Sequence, residues 1–234
     1  MVKQTDLFIN AYGKLYANRG AMTPGVDGKT VDGFSLKKVE GLIQELKERT
    51  FRWTPVRRTY IPKGSGKRRP LGIPTWKDKV VQEVIRVILE AYYEPQFSDR
   101  SHGFRPNRSC HTALGDIKYW RGTTWFIEGD IKGCFDNISH SKLSQILGRH
   151  IKDSSFLKLI NGMLKAGYLE NWKYYETYSG TPQGGLCKAL HKGGLSAQYF
   201  QISYSMSLTS LSKRNSSHNT TPEKNAEATP NTNN

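Results

Sequence analysis

The residues of this chain with the clearest chemical potential are two carboxylates on either side of a short turn, Asp130 and Asp136. The apolar run that begins at Trp125 predicts that Asp130 stands at the end of a strand, and an aromatic residue, Phe135, follows five positions later. A carboxylate held at a strand end beside exposed backbone suits a divalent cation bound against a triphosphate. The alternative is an edge strand whose aspartate caps a turn.

The charge of the chain favours a nucleic-acid partner. Among its 234 residues, 35 Lys and Arg stand against 20 Asp and Glu, which gives a net charge of +15. Several of these cations are interleaved with aromatic residues between Trp53 and Arg69. Such clusters are typical of proteins that bind polyanions and release counterions. The alternatives are a membrane surface as the partner and a basic surface that serves only solubility.

The sequence gives no indication of a membrane or secreted protein. It has no run of about 18 apolar residues, and its N-terminus lacks the apolar segment of a secretory signal. Its three cysteines are an odd number without C-x-x-C spacing, so we expect neither a disulfide framework nor a zinc site. We expect a reducing compartment, either the bacterial cytoplasm or an organellar matrix.

Strand and helix patterns mix without a regular βαβ rhythm, which predicts an α+β fold. The predicted helices cover residues 36–46, with Ser35 as N-cap, 76–93, 111–120, 139–147 and 154–165, and the predicted strands lie at 59–61, 71–73, 125–130 and 173–178. The predicted core face of the longest helix consists of Val80, Val81, Val84, Ile85, Ile88, Leu89 and Tyr92. A polar loop, Ser101–Ser109, follows that helix. The Ser- and Asn-rich tail is predicted to be disordered.

Four collinear segments resemble the group II intron-encoded reverse transcriptases, also called maturases. They are Thr23–Gly28, Tyr60–Thr75 with its continuation to Pro106, Gly129–Asp136 and Gly180–Gly185. The resemblance covers about residues 10–186 and implies a right-hand polymerase with fingers and an incomplete palm. It divides the chain into an N-terminal fingers extension (1–56), the fingers and partial palm (57–186) and a tail (187–234). Diversity-generating and defence-associated reverse transcriptases share part of the pattern.

The resemblance assigns the metal site to Asp130 and the carbonyl of Ile131. Asp130 matches the first of three catalytic aspartates, which in this family hold two Mg²⁺ ions for nucleotidyl transfer. Phe135 matches the aromatic that excludes a ribose 2′-hydroxyl and thereby selects deoxynucleotides. A Phe that merely packs in the core is the alternative.

The resemblance also assigns residues to nucleotide and template binding. Lys63 and Arg69 match fingers residues that grip the incoming triphosphate, and Gln183 matches a residue that contacts the nucleotide and its sugar. Arg105 and Arg108 are expected at the template backbone. For the cations the alternative is a solvated charge, and for Gln183 it is a surface turn.

The sequence departs from the family after the fourth segment. No aspartate follows Asp153, so the family's Tyr-Ala-Asp-Asp hairpin, which carries the other two catalytic aspartates, is absent. Shifted codons for Ser196–Ile202 and Ser205–Ser210 would permit family segments, which favours a frameshift after about residue 186. We therefore expect a truncated RNA-directed DNA polymerase and maturase that is itself catalytically incomplete. Its expected partners are intron RNA, template–primer and deoxynucleoside triphosphates. A non-catalytic RNA-binding fragment and a non-functional remnant are the alternatives.

Overall fold

A computed structural model describes residues 5–18, 20–32, 35–62, 66, 68–103, 105–125 and 137–180. These ranges contain helices and one small sheet whose strands do not alternate regularly with the helices, which confirms the predicted α+β class. In chain order the elements are α1 (Thr5–Tyr16), α2 (Leu36–Lys47), β1 (Val56–Pro62), β2 (Arg68–Ile73), α3 (Trp76–Tyr93), a 3₁₀ turn (Glu94–Gln96), α4 (Cys110–Ile117), α5 (His140–His150), α6 (Ser154–Leu164), β3 (Tyr168–Glu170) and β4 (Lys173–Tyr175). Residues 126–130 of the strand predicted at 125–130 lie outside the described residues, and so does the tail.

The helices begin where side-chain oxygens can accept from their first free amides. Ser35 accepts from the amide of Lys38 at 3.3 Å, as predicted. Ser139 and Asp153 cap α5 and α6 in the same way. The helix predicted over 111–120 is shorter, because it ends at Ile117 and continues as a turn. Its N-cap, Ser109, forms a reciprocal capping box with Thr112.

The central helix, α3, is buried on more sides than its apolar pattern indicates. The predicted face is correct except at its end, where Tyr92 is 42% exposed and Tyr93, four residues after Leu89, is buried instead. Glu83 and Arg86 are also buried, and the guanidinium donates to both carboxylate oxygens of Glu83 at 2.8 and 2.9 Å. This paired charge lets a polar side of the helix enter the interior.

The sheet has the strand order β2-β1-β3-β4. β1 is antiparallel to β2 and parallel to β3, and β3 is antiparallel to β4. The pattern predicted only one strand over 173–178, whereas the structure contains a hairpin. Asn171 and Trp172 form its turn with φ values of 49° and 62°. Two consecutive positive φ values match the type I′ turn, whose twist suits two antiparallel strands.

Five helices supply the hydrophobic core. Its buried residues come from α1, α2, α3, α5 and α6, with Phe51, Phe97 and Ile138 from the connecting segments. The indole nitrogen of Trp53 donates to the carbonyl of Leu159 at 2.8 Å and so joins the segment after α2 to α6. Among the described helices, none is long and apolar enough to cross a membrane.

Candidate functional site

The β1–β2 hairpin presents two arginines at its tip, the end of the hairpin at which the chain reverses. Arg68 is paired with Pro62 and Arg69 with Ile61 in the antiparallel ladder. Both arginines are exposed, and within the described ranges neither side chain has an ion pair or hydrogen bond. As neighbours in a strand they lie on opposite faces of the sheet. Lys63, the other predicted phosphate ligand of the hairpin, lies outside the described residues.

The base of the hairpin, its opposite end, uses an arginine as a brace. Arg57 donates to the carbonyl of Pro24 through Nε at 3.2 Å and Nη2 at 2.9 Å. Lys79, at the start of α3, donates to the neighbouring carbonyl of Thr23 at 3.0 Å. Burial lowers the pKa of the Lys79 ammonium from its ordinary value. The segment Thr23–Gly28 is therefore held by two cations at the base of the β1–β2 hairpin.

A close backbone contact at Gly25 explains why this segment needs a residue without a side chain. A Cβ added there would lie 2.7 Å from Cα of Thr75 and 2.9 Å from the carbonyl oxygen of Pro74. Both of these atoms belong to backbone, so the contact cannot be relieved by turning a side chain. Gly25 thus allows the segment Thr23–Gly28 to touch the junction between β2 and α3.

The second arginine at the base, Arg58, is engaged on the other face of the sheet. Its guanidinium carbon lies 3.9 Å from the centre of the Tyr168 ring, and its Nη1 lies 3.9 Å from the carboxylate of Glu170. The Tyr168 ring stacks in turn on that of Tyr175, with ring centres 5.1 Å apart. A cation on an aromatic face and an ion pair together join β1 to the β3–β4 hairpin.

A buried carboxylate fixes the chain where it enters β1. Asp78 accepts from the Thr75 hydroxyl at 2.8 Å and from the amide of Thr54 at 3.2 Å, both through Oδ2. Its other oxygen, Oδ1, has no hydrogen-bond partner in the part of the chain that the structure describes. Burial raises the pKa of Asp78 to about 6, and the hydrogen bonds and nearby Lys77 oppose this rise only in part.

Arg105 lies inside the polar loop that follows α3. Its side chain is 6% exposed and bonds to the carboxylate of Glu94 at 2.9 Å. It also donates to the carbonyls of Ser98 and Ser101 at 2.7 and 2.9 Å, and its guanidinium faces the Phe97 ring. The guanidinium would have to leave these acceptors to reach a template phosphate. In this structure it organises the loop.

Arg108, the second loop arginine, is more accessible. It donates to the carbonyl and carboxylate of Asp99, and the Asp99 side chain is 97% exposed. A phosphate can replace such an exposed carboxylate at little cost. The expected template contact of Arg108 therefore stays a prediction that the geometry permits.

The segments that flank the third and fourth family motifs meet at one point. The amide of Gly180 donates to the carbonyl of Ile138 at 2.8 Å, and Ser139 and Ser179 form an antiparallel bridge. A ring nitrogen of His140 lies 2.6 Å from the carbonyl oxygen of Gly180, and this imidazole is buried. The residues just after Asp136 are thus bonded to the residues just before Gln183.

Besides Lys63, four predicted site residues lie outside the described residues: Asp130, Ile131, Phe135 and Gln183. Among the described residues, no group of three His, Cys, Asp or Glu side chains could hold a metal ion. The predicted donor set, a carboxylate and a carbonyl oxygen, has the hard-oxygen chemistry that Mg²⁺ prefers, although two such donors alone do not fill its shell.

Sequence reasoning missed several residues that shape this region, and the signal for some of them was present. Arg57 was counted only as a positive charge and Lys79 only as part of a family segment, although each lies beside a predicted element end. His140 follows the N-cap Ser139, so its place at the start of α5 was predictable from sequence. Its partner, 40 residues away, was not.

The comparisons with known proteins agree with this arrangement. A family model described as "Reverse transcriptase (RNA-dependent DNA polymerase)" matches residues 61–214. The chain is 56% identical over 187 residues to the group II intron-encoded protein LtrA of Lactococcus lactis subsp. cremoris. It is 50% identical over 182 residues to the uncharacterized 91 kDa protein in cob intron of Schizosaccharomyces pombe.

These alignments cover most of this chain and a minor part of each relative. They take in 79% of this chain and 31% of the Lactococcus protein, and 77% of this chain and 23% of the Schizosaccharomyces protein. Among solved structures, a partial Cas6-RT-Cas1--Cas2 complex matches with a TM-score of 0.54 and 16% identity, over 89% of this chain and 34% of that chain. At this identity the match shows the fold alone. The chain belongs to the reverse transcriptase family, and its resemblance to the group II intron-encoded members is confirmed.

Proposed function

We propose that this chain supplies the nucleotide- and template-gripping part of a group II intron-encoded reverse transcriptase, which copies RNA into DNA by two-metal nucleotidyl transfer. The observation that carries this proposal is the pairing of Ile138 with Gly180 at 2.8 Å. It joins the motif that ends at Asp136 to the motif that contains Gln183. A carboxylate for metal and an amide for the nucleotide would have to converge in this way at a polymerase site.

The second support is the asymmetry of the fingers hairpin. Its base is braced by Arg57 and Arg58, which have partners, whereas Arg69 at the tip is exposed without one among the described residues. A guanidinium that has no internal acceptor remains available for a triphosphate, which it can bind through two parallel N–H donors. In this proposal Lys63 provides a second, point-like charge.

Reverse transcriptases use divalent metal ions and bind RNA and template–primer nucleic acids. In the proposed site Asp130 and the carbonyl of Ile131 would hold Mg²⁺, which lowers the pKa of the primer 3′-hydroxyl and neutralises the triphosphate. Phe135 would stand beneath the sugar and exclude a 2′-hydroxyl by its bulk. Gln183 would orient the nucleotide through its sugar and base.

In this family the catalytic step needs two aspartates besides the one that Asp130 matches. No aspartate follows Asp153, so this chain does not supply them. We therefore expect the 234-residue chain to bind an RNA template with its DNA primer without extending the primer. Primer extension with Mg²⁺ and deoxynucleoside triphosphates tests this expectation. Extension that disappears in Asp130→Ala would overturn the proposed incompleteness and support an intact site.

A non-catalytic role in RNA binding is the second candidate, and the net charge of +15 favours it. Filter binding of intron RNA over a salt series separates the two. A chain that binds RNA but shows no affinity for a deoxynucleoside triphosphate with Mg²⁺ would support RNA binding alone. Because relatives occur in a bacterium and in fungal introns, we infer that either role belongs to the bacterial cytoplasm or an organellar matrix.

The domain boundaries and the frameshift remain proposals. The family match runs to residue 214 and so passes beyond residue 186, where we place the start of an out-of-frame tail. The underlying DNA decides between these positions. A shifted frame that encodes a later Tyr-Ala-Asp-Asp would support the frameshift, and a shifted frame without it would exclude it.

A further inference from the structure

A cleft of about 440 Å³ lies between the C-terminal end of α2 and the N-terminal half of α6. One wall is formed by residues 46–52 and the other by residues 153–159, and we call it the basic cleft. Its volume falls within the range of about 300–1,000 Å³ that is typical of ligand sites. None of the motifs that indicate polymerase chemistry contributes to it.

Four cationic side chains line the basic cleft, two lysines and two arginines. Lys47, Arg49, Arg52 and Lys158 are all exposed. Within the described ranges, the side chains of Lys47, Arg49 and Lys158 have no ion pair or hydrogen bond. Arg52 uses only Nη1, which donates to the carbonyls of Arg49 and Phe51 at 3.1 Å each. Among the described residues, contacts within the fold therefore leave most of the donors on these four side chains able to bind a ligand.

The one carboxylate in the lining, Asp153, offsets only one of the four positive charges. Asp153 accepts from the amides of Ser155 and Phe156 at 2.8 and 3.1 Å, and so serves as the N-cap of α6. The cleft therefore holds four positive side chains against one carboxylate that is already engaged. An excess of this size within one concave site attracts an anion with several phosphates or a phosphodiester chain.

The floor of the basic cleft is apolar and fixed. Phe51 and Phe156 are 6% and 7% exposed and belong to the hydrophobic core. The two walls are joined by the hydrogen bond from the Trp53 indole to the carbonyl of Leu159. The Trp53 ring also lies 2.9 Å from the position that a Cβ on Gly162 would occupy. A site with a packed floor and joined walls needs no rearrangement to accept a ligand.

We propose that the basic cleft binds the phosphodiester backbone of RNA, at a surface separate from the predicted nucleotide site. The cations contact successive phosphates, and a ribose ring packs on the apolar floor. This inference rests on the RNA binding proposed above and assigns part of it to residues outside the fingers hairpin. It gives the chain a second grip on RNA that does not depend on Asp130.

Equilibrium binding of a labelled 20-nucleotide single-stranded RNA to the full chain tests the proposal. The double variant Lys47→Ala/Lys158→Ala is compared with Lys37→Ala/Lys118→Ala, which removes the same charge from exposed positions outside the cleft. We expect the cleft variant to weaken binding about tenfold and to reduce the log–log salt slope by about 1.4, since each lost phosphate contact contributes about 0.7 on a single strand. The control pair should change affinity less than about threefold.

Two results would overturn the inference in distinguishable ways. If the cleft and control variants lose the same affinity and RNA still binds, the cleft is excluded as an RNA site, while the proposed RNA binding of the chain stands. Absence of RNA binding by the unaltered chain would exclude both the cleft and the RNA binding proposed above. If the cleft variant fails to fold, acetylation footprinting of the unaltered chain decides. RNA should protect Lys47 and Lys158 more than Lys37, and equal protection would exclude the cleft.

Discussion

At the base of the β1–β2 hairpin, Arg57 and Arg58 have partners within the chain, whereas at the tip Arg68 and Arg69 are exposed without one among the described residues. All four are arginines of one hairpin, and sequence alone gives them equal weight as positive charge. The difference lies in whether carbonyls, carboxylates or rings are within reach. The base arginines stabilise the fold, and the tip arginines remain available for a ligand.

The same contrast recurs in the loop after α3. Arg105 has a buried guanidinium with four acceptors, while Arg108 has one exposed aspartate as its partner. Net charge therefore overstates the number of cations that can bind nucleic acid.

Replacement of Arg105 should have the largest effect on stability. Arg105→Ala removes a buried guanidinium and leaves Glu94 and two carbonyls without their donor. We expect the free energy of unfolding to fall by about 3 kcal/mol. Urea denaturation measures this, with Arg108→Ala as the matched control at less than about 1 kcal/mol. Similar losses in both variants would contradict the distinction.

Gly25→Ala tests the brace at the base of the hairpin. The added Cβ would meet the backbone of Pro74 and Thr75 at 2.7–2.9 Å, so the segment has to move away from the positions that Arg57 and Lys79 hold. We expect a loss of about 2.5 kcal/mol in thermal or urea unfolding. Gly41→Ala, in α2 with open space around its Cβ, should instead raise stability by about 0.5–1 kcal/mol. A neutral Gly25→Ala would mean that the contact is not tight.

The pH dependence of stability tests the buried carboxylate beside the base. Because burial raises the pKa of Asp78 from 3.8 to about 6, the folded state binds a proton more tightly than the unfolded chain between those values. Stability contributed by this group is therefore present below about pH 4 and is lost as pH rises through 6, by an amount on the order of 2–3 kcal/mol. Asp78→Asn should flatten the unfolding free energy over pH 4–6.5. An unchanged slope would exclude Asp78 as its source.

Arg57→Ala should have a smaller effect, about 1.5 kcal/mol, because it removes two hydrogen bonds to one carbonyl. The fair comparison is Arg68→Ala in the same hairpin, which should change the free energy of unfolding by less than about 0.5 kcal/mol. Thermal melts of the two variants at one pH provide the measurement. The contrast between base and tip fails if Arg68→Ala is as destabilising as Arg57→Ala.

Much of the fold was accessible from sequence because it depends on local signals. Ser35 precedes an apolar helical repeat, and the apolar residues of 76–93 recur at helical spacing, so both helices were predicted close to their observed bounds. The β3–β4 hairpin was missed because its turn uses Trp172 in a left-handed conformation, for which sequence provides no usual turn residue. Tyr93 replaced Tyr92 in the core because both lie within one turn of Leu89.

The candidate site was predictable where motifs carry it and not where partners are distant in sequence. Arg69 and Arg105 belong to equally recognisable motifs, yet one is exposed and the other buried. The difference in burial arises because Glu94, Ser98 and Ser101 lie within hydrogen-bond reach of Arg105. The four cations of the basic cleft come from segments about 110 residues apart, so no local pattern brings Lys47 and Lys158 together.

The most direct test of the account is the affinity of the chain for a fluorescent deoxynucleoside triphosphate with Mg²⁺, measured for Arg69→Ala and Arg68→Ala. These adjacent arginines are both exposed and lie on opposite faces of β2. We predict that Arg69→Ala weakens binding about tenfold, which corresponds to the loss of one charge-assisted contact, while Arg68→Ala changes it less than about threefold. Equal effects of the two variants, or no effect of Arg69→Ala, would contradict it.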